Sequence, residues 1–520
     1  MSKLERWEPE DEAFWEAEGK RVAKRNLWIS IPNLLLGFSV WLYWGMIAKY
    51  IQDVHNANPE LFNFTFLNDG QPYEGKAYKA FLFLLPAVAG LSGATLRLPN
   101  TFMVAITGGR NVKFMSTVML MLPAIGAGIA LQNPDTSFLT LVVLACLSGV
   151  GGGVFASSMS NISFFYPKKM QGLALGLNAG LGNAGVSVMQ FLLPWVITFG
   201  MFGSLGGDGY AVGEKTLWIQ NAGLVWVPVL AFFAVAAFLG MNNMPFHKVQ
   251  STPVAIAKYL WMTVLGFAGA IVGIAVLLAT YTSTAKTFWT FVVILAAVPT
   301  TMLLLRFCTP RETRENLKGQ FEILHMKHNW VMTYLYVMTF GSFIGYANAF
   351  PKVIKDVFET NPGKYAWIGA GVGALIRPVG GWLSDKVGGA KVTHWDTIIM
   401  IGATILAGYF VQLAIGSEDP GQYFIPFLLT FIVLFATTGI GNGSTFRMIG
   451  VIFSRDHRGP VLGWTSAIAA YGAYLIPKIF GNQIASGTPH YALYGFAGYY
   501  ATCLVVNWWF YARKGAEIPC

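Results

Sequence analysis

Arg97 and Arg377 are the residues whose type and spacing could do chemistry here. They stand 280 positions apart, and each lies eleven residues before a glycine pair, Gly108–Gly109 and Gly388–Gly389. Eleven residues of helix span about 16 Å. If each glycine pair marks a membrane surface, both guanidinium groups sit near the middle of a ~30 Å hydrocarbon core. A charge at that depth costs several kcal/mol unless it faces the protein interior or a wet cavity. Two such charges at matching depth predict an anion site at the midplane. The apolar stretches around them offer no Asp or Glu, and Asp385 falls at a helix end. The ligand must then supply the negative charge. Arginine presents a flat fork of donors, which suits a planar oxyanion better than the point charge of lysine. A proline follows each arginine closely, Pro99 and Pro378, and is expected to open the backbone beside the site.

The elements that hold these residues are membrane helices. Hydrophobic residues make up 54% of the 520 positions and charged residues only 12%, against roughly 25% charged in a soluble domain. This excludes a soluble enzyme, a disordered chain and a nucleic-acid binder. The four cysteines have no metal-ligand or paired spacing, so no metal, cofactor or disulfide framework is expected. Fourteen apolar segments are long enough to span, from 28–50 to 490–511. The net charge of +10 resolves into topology. Arg21, Lys24, Arg25, Arg110, Lys168, Lys169, Lys248, Arg311, Lys386, Arg455 and Arg513 fall on one side, with few basic residues and many acids on the other. The basic side reads as cytoplasmic. An even number of spans then puts both termini in the cytoplasm, in a multi-pass protein of the cell inner membrane. Residues 8–24 could form a surface helix before the first span.

An internal repeat organises the spans. The 280-residue offset relates LRLPNTFMVAITGGRNV (96–112) to IRPVGGWLSDKVGGAKV (376–392). A 287-residue offset relates Gly172, Gly176 and Gly185 to Gly459, Gly463 and Gly472. Parallel repeats of this kind mark a transporter of two six-helix halves. The chain divides into a cytoplasmic segment (1–27), a first half (28–240), a linker with two extra spans (241–328, spans 254–280 and 287–307), a second half (329–512) and a tail (513–520). Gly172, Gly176 and Gly180 recur on one helix face and would let backbones approach closely. Asn178 and Asn183 are polar within an apolar span, so at least one should face a cavity.

Specific stretches carry a family likeness. GGWLSDKVGGAKV (380–392) resembles the loop between the second and third helices of each half in the major facilitator superfamily. Asp385 and Lys386 carry it; the first-half copy has Ala105–Ile106 instead of the acid. FASSMSNISFFYPKKMQG (155–172) and GLNAGLGNAGVSVMQ (176–190) resemble the nitrate signature of the nitrate/nitrite porter family. SAIAAYGAYLIPKIFG (466–481) resembles its second signature. The likeness covers the chain except about 250–325, where this sequence departs from a twelve-helix pattern. It implies a major facilitator fold, all α, with about fourteen spans here. It also implies a site between Arg97 and Arg377, with Asn183, Tyr336, Phe155, Phe340 and Phe38 around the anion. Asp385, Gly180, Gly472 and Arg447 are expected to act in gating or structure.

The implied function is carriage of nitrate and nitrite by alternating access, as an antiporter in the lipid bilayer that is expected to be a monomer. Proton-coupled nitrate symport is the alternative, and it needs a titratable group within the spans, where none is evident. An anion channel could use the same arginines, but a two-half repeat with glycine-faced helices favours a moving carrier. No constellation for an enzyme is present.

Overall fold

A computed structural model describes residues 4–247 and 249–520, without the side chains of Lys76 and Arg455. Lys248, assigned above to the basic side, lies outside the described residues, as does the side chain of Arg455. Fourteen helical spans follow one another. The first is Lys20–Leu42 and Trp44–Ala57, and the second is Gly75–Leu82 and Leu84–Thr107. The third to fifth are Gly109–Ala130, Phe138–Phe165 and Gln171–Val196, and the sixth is mainly Trp226–Gly240. The seventh and eighth, Thr252–Ala279 and Lys286–Phe307, are the inserted pair. The ninth runs from Lys327–Tyr336 through a π-turn, Val337–Gly341, into Ser342–Phe358. The tenth is Pro362–Leu375 and Arg377–Val387; the eleventh and twelfth are Gly389–Ile415 and Phe424–Ile452. The thirteenth is Arg455–Ala470 and Gly472–Ala485, and the fourteenth is His490–Asn507. A short hairpin pairs Tyr210–Val212 with Lys215–Leu217 in the loop after the fifth span.

Among the described residues, nine helices are long and apolar enough to cross a membrane on composition alone. The fifth, ninth, tenth, thirteenth and fourteenth spans are not among them. The fifth, ninth, tenth and thirteenth carry glycines, asparagines or backbone breaks, and they bring Asn183, Tyr336 and Arg377 to the centre, while Arg97 and Asn442 come from spans that remain apolar enough on average. Irregular or polar helix is tolerated at membrane depth where it lines protein or a cavity.

Glycine decides how the halves meet. A Cβ at Gly180 would lie 2.7 Å from the Ala374 carbonyl and 3.3 Å from Pro378, and one at Gly176 3.2 Å from Pro378. The fifth span is thus laid directly on the tenth. A Cβ at Gly463 would meet Thr101 at 2.6 Å, seating the thirteenth span on the second. Gly185 and Gly472, related by the 287-residue offset, repeat one device. Their Cβ positions fall 2.1 Å from the Leu35 carbonyl and 2.2 Å from the Gly341 carbonyl.

The inserted pair lies against both halves. Gly266 of the seventh span faces Leu96 and Pro99, which flank Arg97, and Gly273 faces Leu91. The eighth span reaches the thirteenth near Tyr474 and Lys478.

Three expectations are corrected. The first span begins earlier than residue 28: helix runs without a gap from Glu12 through a π-turn (Trp15–Gly19) into Lys20. The charged face of 8–24 stays exposed while Phe14, Trp15 and Val22 pack at the bundle end, where Trp7 Nε1 donates to the Phe164 carbonyl at 2.9 Å. Pro99 does not open its helix, which continues to Thr107. Neighbouring side chains cap the local carbonyls, Asn100 Nδ2 on Leu96 and Thr101 Oγ1 on Arg97. Only at Arg377 does the helix restart, after a break at Ile376. Finally, the end opposite the termini is not poor in basic residues. Lys49, Lys79, Lys352 and Lys355 gather there around Asp356. They lie inside helix ends, which a count of loop charges passes over.

Candidate functional site

Arg97 and Arg377 are both fully buried. Backbone geometry aims them: the second span presents Arg97 to the glycine-rich fourth, and its Nε donates to the Gly152 carbonyl at 2.8 Å. Arg97 Nη1 donates to the Ser466 carbonyl of the thirteenth span at 3.1 Å. Arg377 Nε donates to the Gly373 carbonyl at 3.3 Å. Arg97 Nη2 and both Arg377 Nη atoms have no hydrogen-bond partner. Such orphaned donors are rare in a folded interior and call for a ligand, water or ion.

Aromatic rings occupy the space around the two charges. Arg97 Cζ lies 4.6 Å from the Phe155 ring centre, 4.7 Å from Phe340, 5.4 Å from Trp41 and 5.9 Å from Phe38. Arg377 Cζ lies 4.1 Å from Phe343 and 5.6 Å from Phe340. Phe340 therefore touches both guanidinium groups, and the two are at most about 10 Å apart. Phe155 and Phe340 stack with centres 5.0 Å apart and planes 18° apart, and Tyr336 stacks on the other side of Phe340 at 5.7 Å. The π-turn Val337–Gly341 carries Phe340 and sets its register relative to Tyr336. π-Turns are frequent at functional sites.

All seven substrate-site candidates are buried. The structure brings Arg97, Arg377, Phe38, Phe155, Phe340 and Tyr336 into one cluster. Tyr336 Oη points toward Asn442 without completing a hydrogen bond of ordinary length. Asn183 sits one turn beyond Gly180, whose Cβ position is 3.6 Å from Arg377 Cβ. Its Nδ2 donates to the Ala179 carbonyl, and its Oδ1 is unpartnered. Asp385 and Arg447 lie away from this cluster, paired with each other at 2.8 Å near the termini.

Sequence reasoning missed Asn442, Trp41 and Phe343. Asn442 is related to Phe155 by the 287-residue offset, so the repeat pointed to it. Both atoms of its amide are orphaned. Trp41 and Phe343 each fall three residues after a named ring, on the same helix face. Trp41 lies in a slot with no side chains, against Gly93 and Gly152.

The expectation of no acid in the helix cores is overturned by Asp396. It lies two turns inside the eleventh span and is buried, and its Oδ2 has no partner. Asp396 Oδ2 and Thr339 Cγ2 both approach within 2.7 Å of the Cβ position of Gly441, beside Asn442. Its neighbours Lys391 and His394 make that stretch look like a polar loop.

No protein-family model matches the chain. Relatives do, over nearly the whole length. The nitrate/nitrite transporter NarU of Escherichia coli strain K12 is 36% identical, over 98% of this chain and 96% of that protein. The probable nitrate/nitrite antiporter NarK2 of Thermus thermophilus is 33% identical, over 99% and 97%. This chain belongs to the nitrate/nitrite porter family. Solved structures agree on the fold. The proton:xylose symporter XylE superposes with a TM-score of 0.57 at 14% identity, over 96% of this chain and 98% of that one. The human organic anion transporter MFSD10 gives 0.54 at 12% identity, over 94% and 99%. The porter therefore has the major facilitator fold and is a carrier, not an enzyme.

Proposed function

We propose that this porter exchanges nitrate for nitrite across the cell inner membrane, with both termini cytoplasmic and with the anion held between Arg97 and Arg377. The carrying observation is the set of unpartnered guanidinium nitrogens in a fully buried, ring-walled cluster. The names of NarU and NarK2 support the choice of anions.

Nitrate is planar and singly charged. Its oxygens would accept from Arg97 Nη2 and the two Arg377 Nη groups, and from the Tyr336 hydroxyl and the Asn442 amide. Phe155 and Phe340, stacked on each other 5.0 Å apart, leave no room for an ion between them, so nitrate would lie at their edges beside the guanidinium groups. Nitrite keeps the charge and two of the oxygens, so the same donors serve both ions.

Two guanidinium charges about 10 Å apart at an effective dielectric near 20 repel by roughly 2 kcal/mol. Closing the halves over an empty site makes that term larger, and a bound anion removes it. The loaded carrier then closes and reorients, and the empty carrier does not. The halves, residues 28–240 and 329–512, rock about the arginines. Gly180 and Gly472 keep helix backbones close enough to slide, and the Asp385–Arg447 pair fastens helix ends on the cytoplasmic side.

Asp396 favours a second reading, proton-coupled symport, because it supplies a titratable group beside Asn442. One experiment separates the two. Purified protein goes into liposomes loaded with nitrite, and entry of labelled nitrate is followed with and without a pH gradient. Uptake that requires internal nitrite and ignores the gradient establishes exchange. Uptake into anion-free vesicles driven by the gradient, and abolished by Asp396→Asn, replaces it with symport.

A further inference from the structure

A second basic cavity lies at the end opposite the termini, between the inserted pair and the two halves. Its volume is about 430 Å³. Lys286 and Trp289 of the eighth span form one wall, Phe83 of the second span another, and Tyr474 and Lys478 of the thirteenth a third. None of its lining residues is acidic. Neither Lys286 nor Lys478 has an ion-pair partner among the described residues, whereas Lys352, at the cavity's edge, is held by Asp356 at 2.7 Å. Tyr474 is fully buried, and its hydroxyl makes no hydrogen bond of ordinary length. Its polar neighbour Thr290 donates its own proton to the Lys286 carbonyl.

We propose that this cavity is a second anion site, built by the inserted pair, that takes a singly charged oxyanion between Lys286 and Lys478. The physical need is plain. Lys478, half-buried among apolar helices, requires a counter-charge or water, and no side chain in the lining gives one; Lys286, exposed at its helix start, lines the same cavity. The Tyr474 hydroxyl would donate to the same ion. The cavity shares Phe83, Asn348 and Lys352 with a neighbouring vestibule of about 50 Å³ between the halves. An ion held here therefore stands one side chain away from that vestibule. The oxyanion has two possible sources, a free anion on its way to the vestibule or the phosphodiester of an anionic lipid entering from the side.

The test uses the full chain and the double variant Lys286→Gln/Lys478→Gln. Native mass spectrometry counts phosphatidylglycerol retained from mixed micelles, and proteoliposomes made with phosphatidylcholine alone give the half-saturating nitrate concentration at low ionic strength. Loss of one retained phosphatidylglycerol assigns the site to a lipid headgroup. A half-saturation raised about tenfold, with lipid retention unchanged, assigns it to the free anion. Lys286→Arg/Lys478→Arg should behave as the parent in either case. If the glutamine pair changes neither readout, the proposal is wrong. Lys286 is exposed at its helix start, so Lys286→Gln alone gives a folded protein should the pair fail. It is then expected to show the same shift in smaller degree, and no shift would overturn the site. The lipid count does not depend on which anion is transported, so its outcome stands apart from the nitrate reading.

Discussion

Phe340 is the only ring in contact with both guanidinium groups among those described here, and its removal probes the site without deleting charge. Each such contact is worth about 0.5–2 kcal/mol. Phe340→Ala should weaken nitrate binding about tenfold in a counterflow titration, and Phe340→Tyr should largely retain it. Arg97→Lys or Arg377→Lys should lose most transport, because an ammonium cannot present the fork whose Nη atoms stand unpartnered. Full-rate exchange by Arg377→Lys would remove the two-fork arrangement from consideration. The residue scale was readable where a repeat marked it. Both arginines appeared because the same depth recurs in each half. Asn442 and Asp396 were not seen, since one needed the repeat to be followed to a different residue type and the other sat among charges that imitate a loop.

At the scale of helices, glycine sets the approach of backbones. A methyl at residue 472 would lie 2.2 Å from the Gly341 carbonyl, and a backbone oxygen cannot rotate away as a side chain can. Gly472→Ala should lower stability by about 1–3 kcal/mol, read as a fall in the thermal midpoint in detergent. Gly481→Ala, on the same helix with open space at its Cβ position, should be neutral or stabilising by up to about 1 kcal/mol. Helix count and order were legible because apolar length is a strong signal. Breaks were less so. Pro99 and Pro378 look alike in sequence, yet one sits in continuous helix and the other starts a new segment. Asn100 and Thr101 bond the carbonyls four residues before them within the same helix, a local bracing that Pro378, followed by Val379 and Gly380, lacks.

At the scale of the molecule, two contacts bridge the halves at opposite ends. Lys79 of the second span is ion-paired with Asp356 of the ninth. Near the termini, the Gly459 Cβ position lies 2.8 Å from Ser160 Oγ. With Cys308 and Cys520 replaced by serine, Ser160→Cys/Gly459→Cys should form a disulfide, and Lys79→Cys/Asp356→Cys, whose long side chains set the backbones farther apart, should be joined by a reducible bis-methanethiosulfonate crosslinker. Each should stop transport, with recovery on reduction. A carrier that runs at full rate with either bridge closed does not rock about its centre. The C-terminal tail adds a pH-dependent clasp. Lys327 hydrogen-bonds Glu517 at 2.5 Å and His328 contacts it at 3.2 Å. The Lys327 hydrogen bond, with help from His328, holds the Glu517 carboxyl below its ordinary value against some desolvation. A depressed carboxyl contributes its stabilisation above the ordinary value and loses it as pH falls through the lowered one. A nitroxide on Cys520, with Cys308→Ser, should therefore stay immobile at neutral pH and gain mobility only on acidification below the ordinary carboxylate range. Mobility already present at neutral pH would rule the clasp out.

The inserted pair lies along the second span and meets the thirteenth only at one end. The first half accordingly carries eight helices against the lipid and the second carries six. If the two bodies rock as proposed, the wall between the pair and the thirteenth span is the seam along which they would part, and the cavity there would swell and shrink once in every cycle.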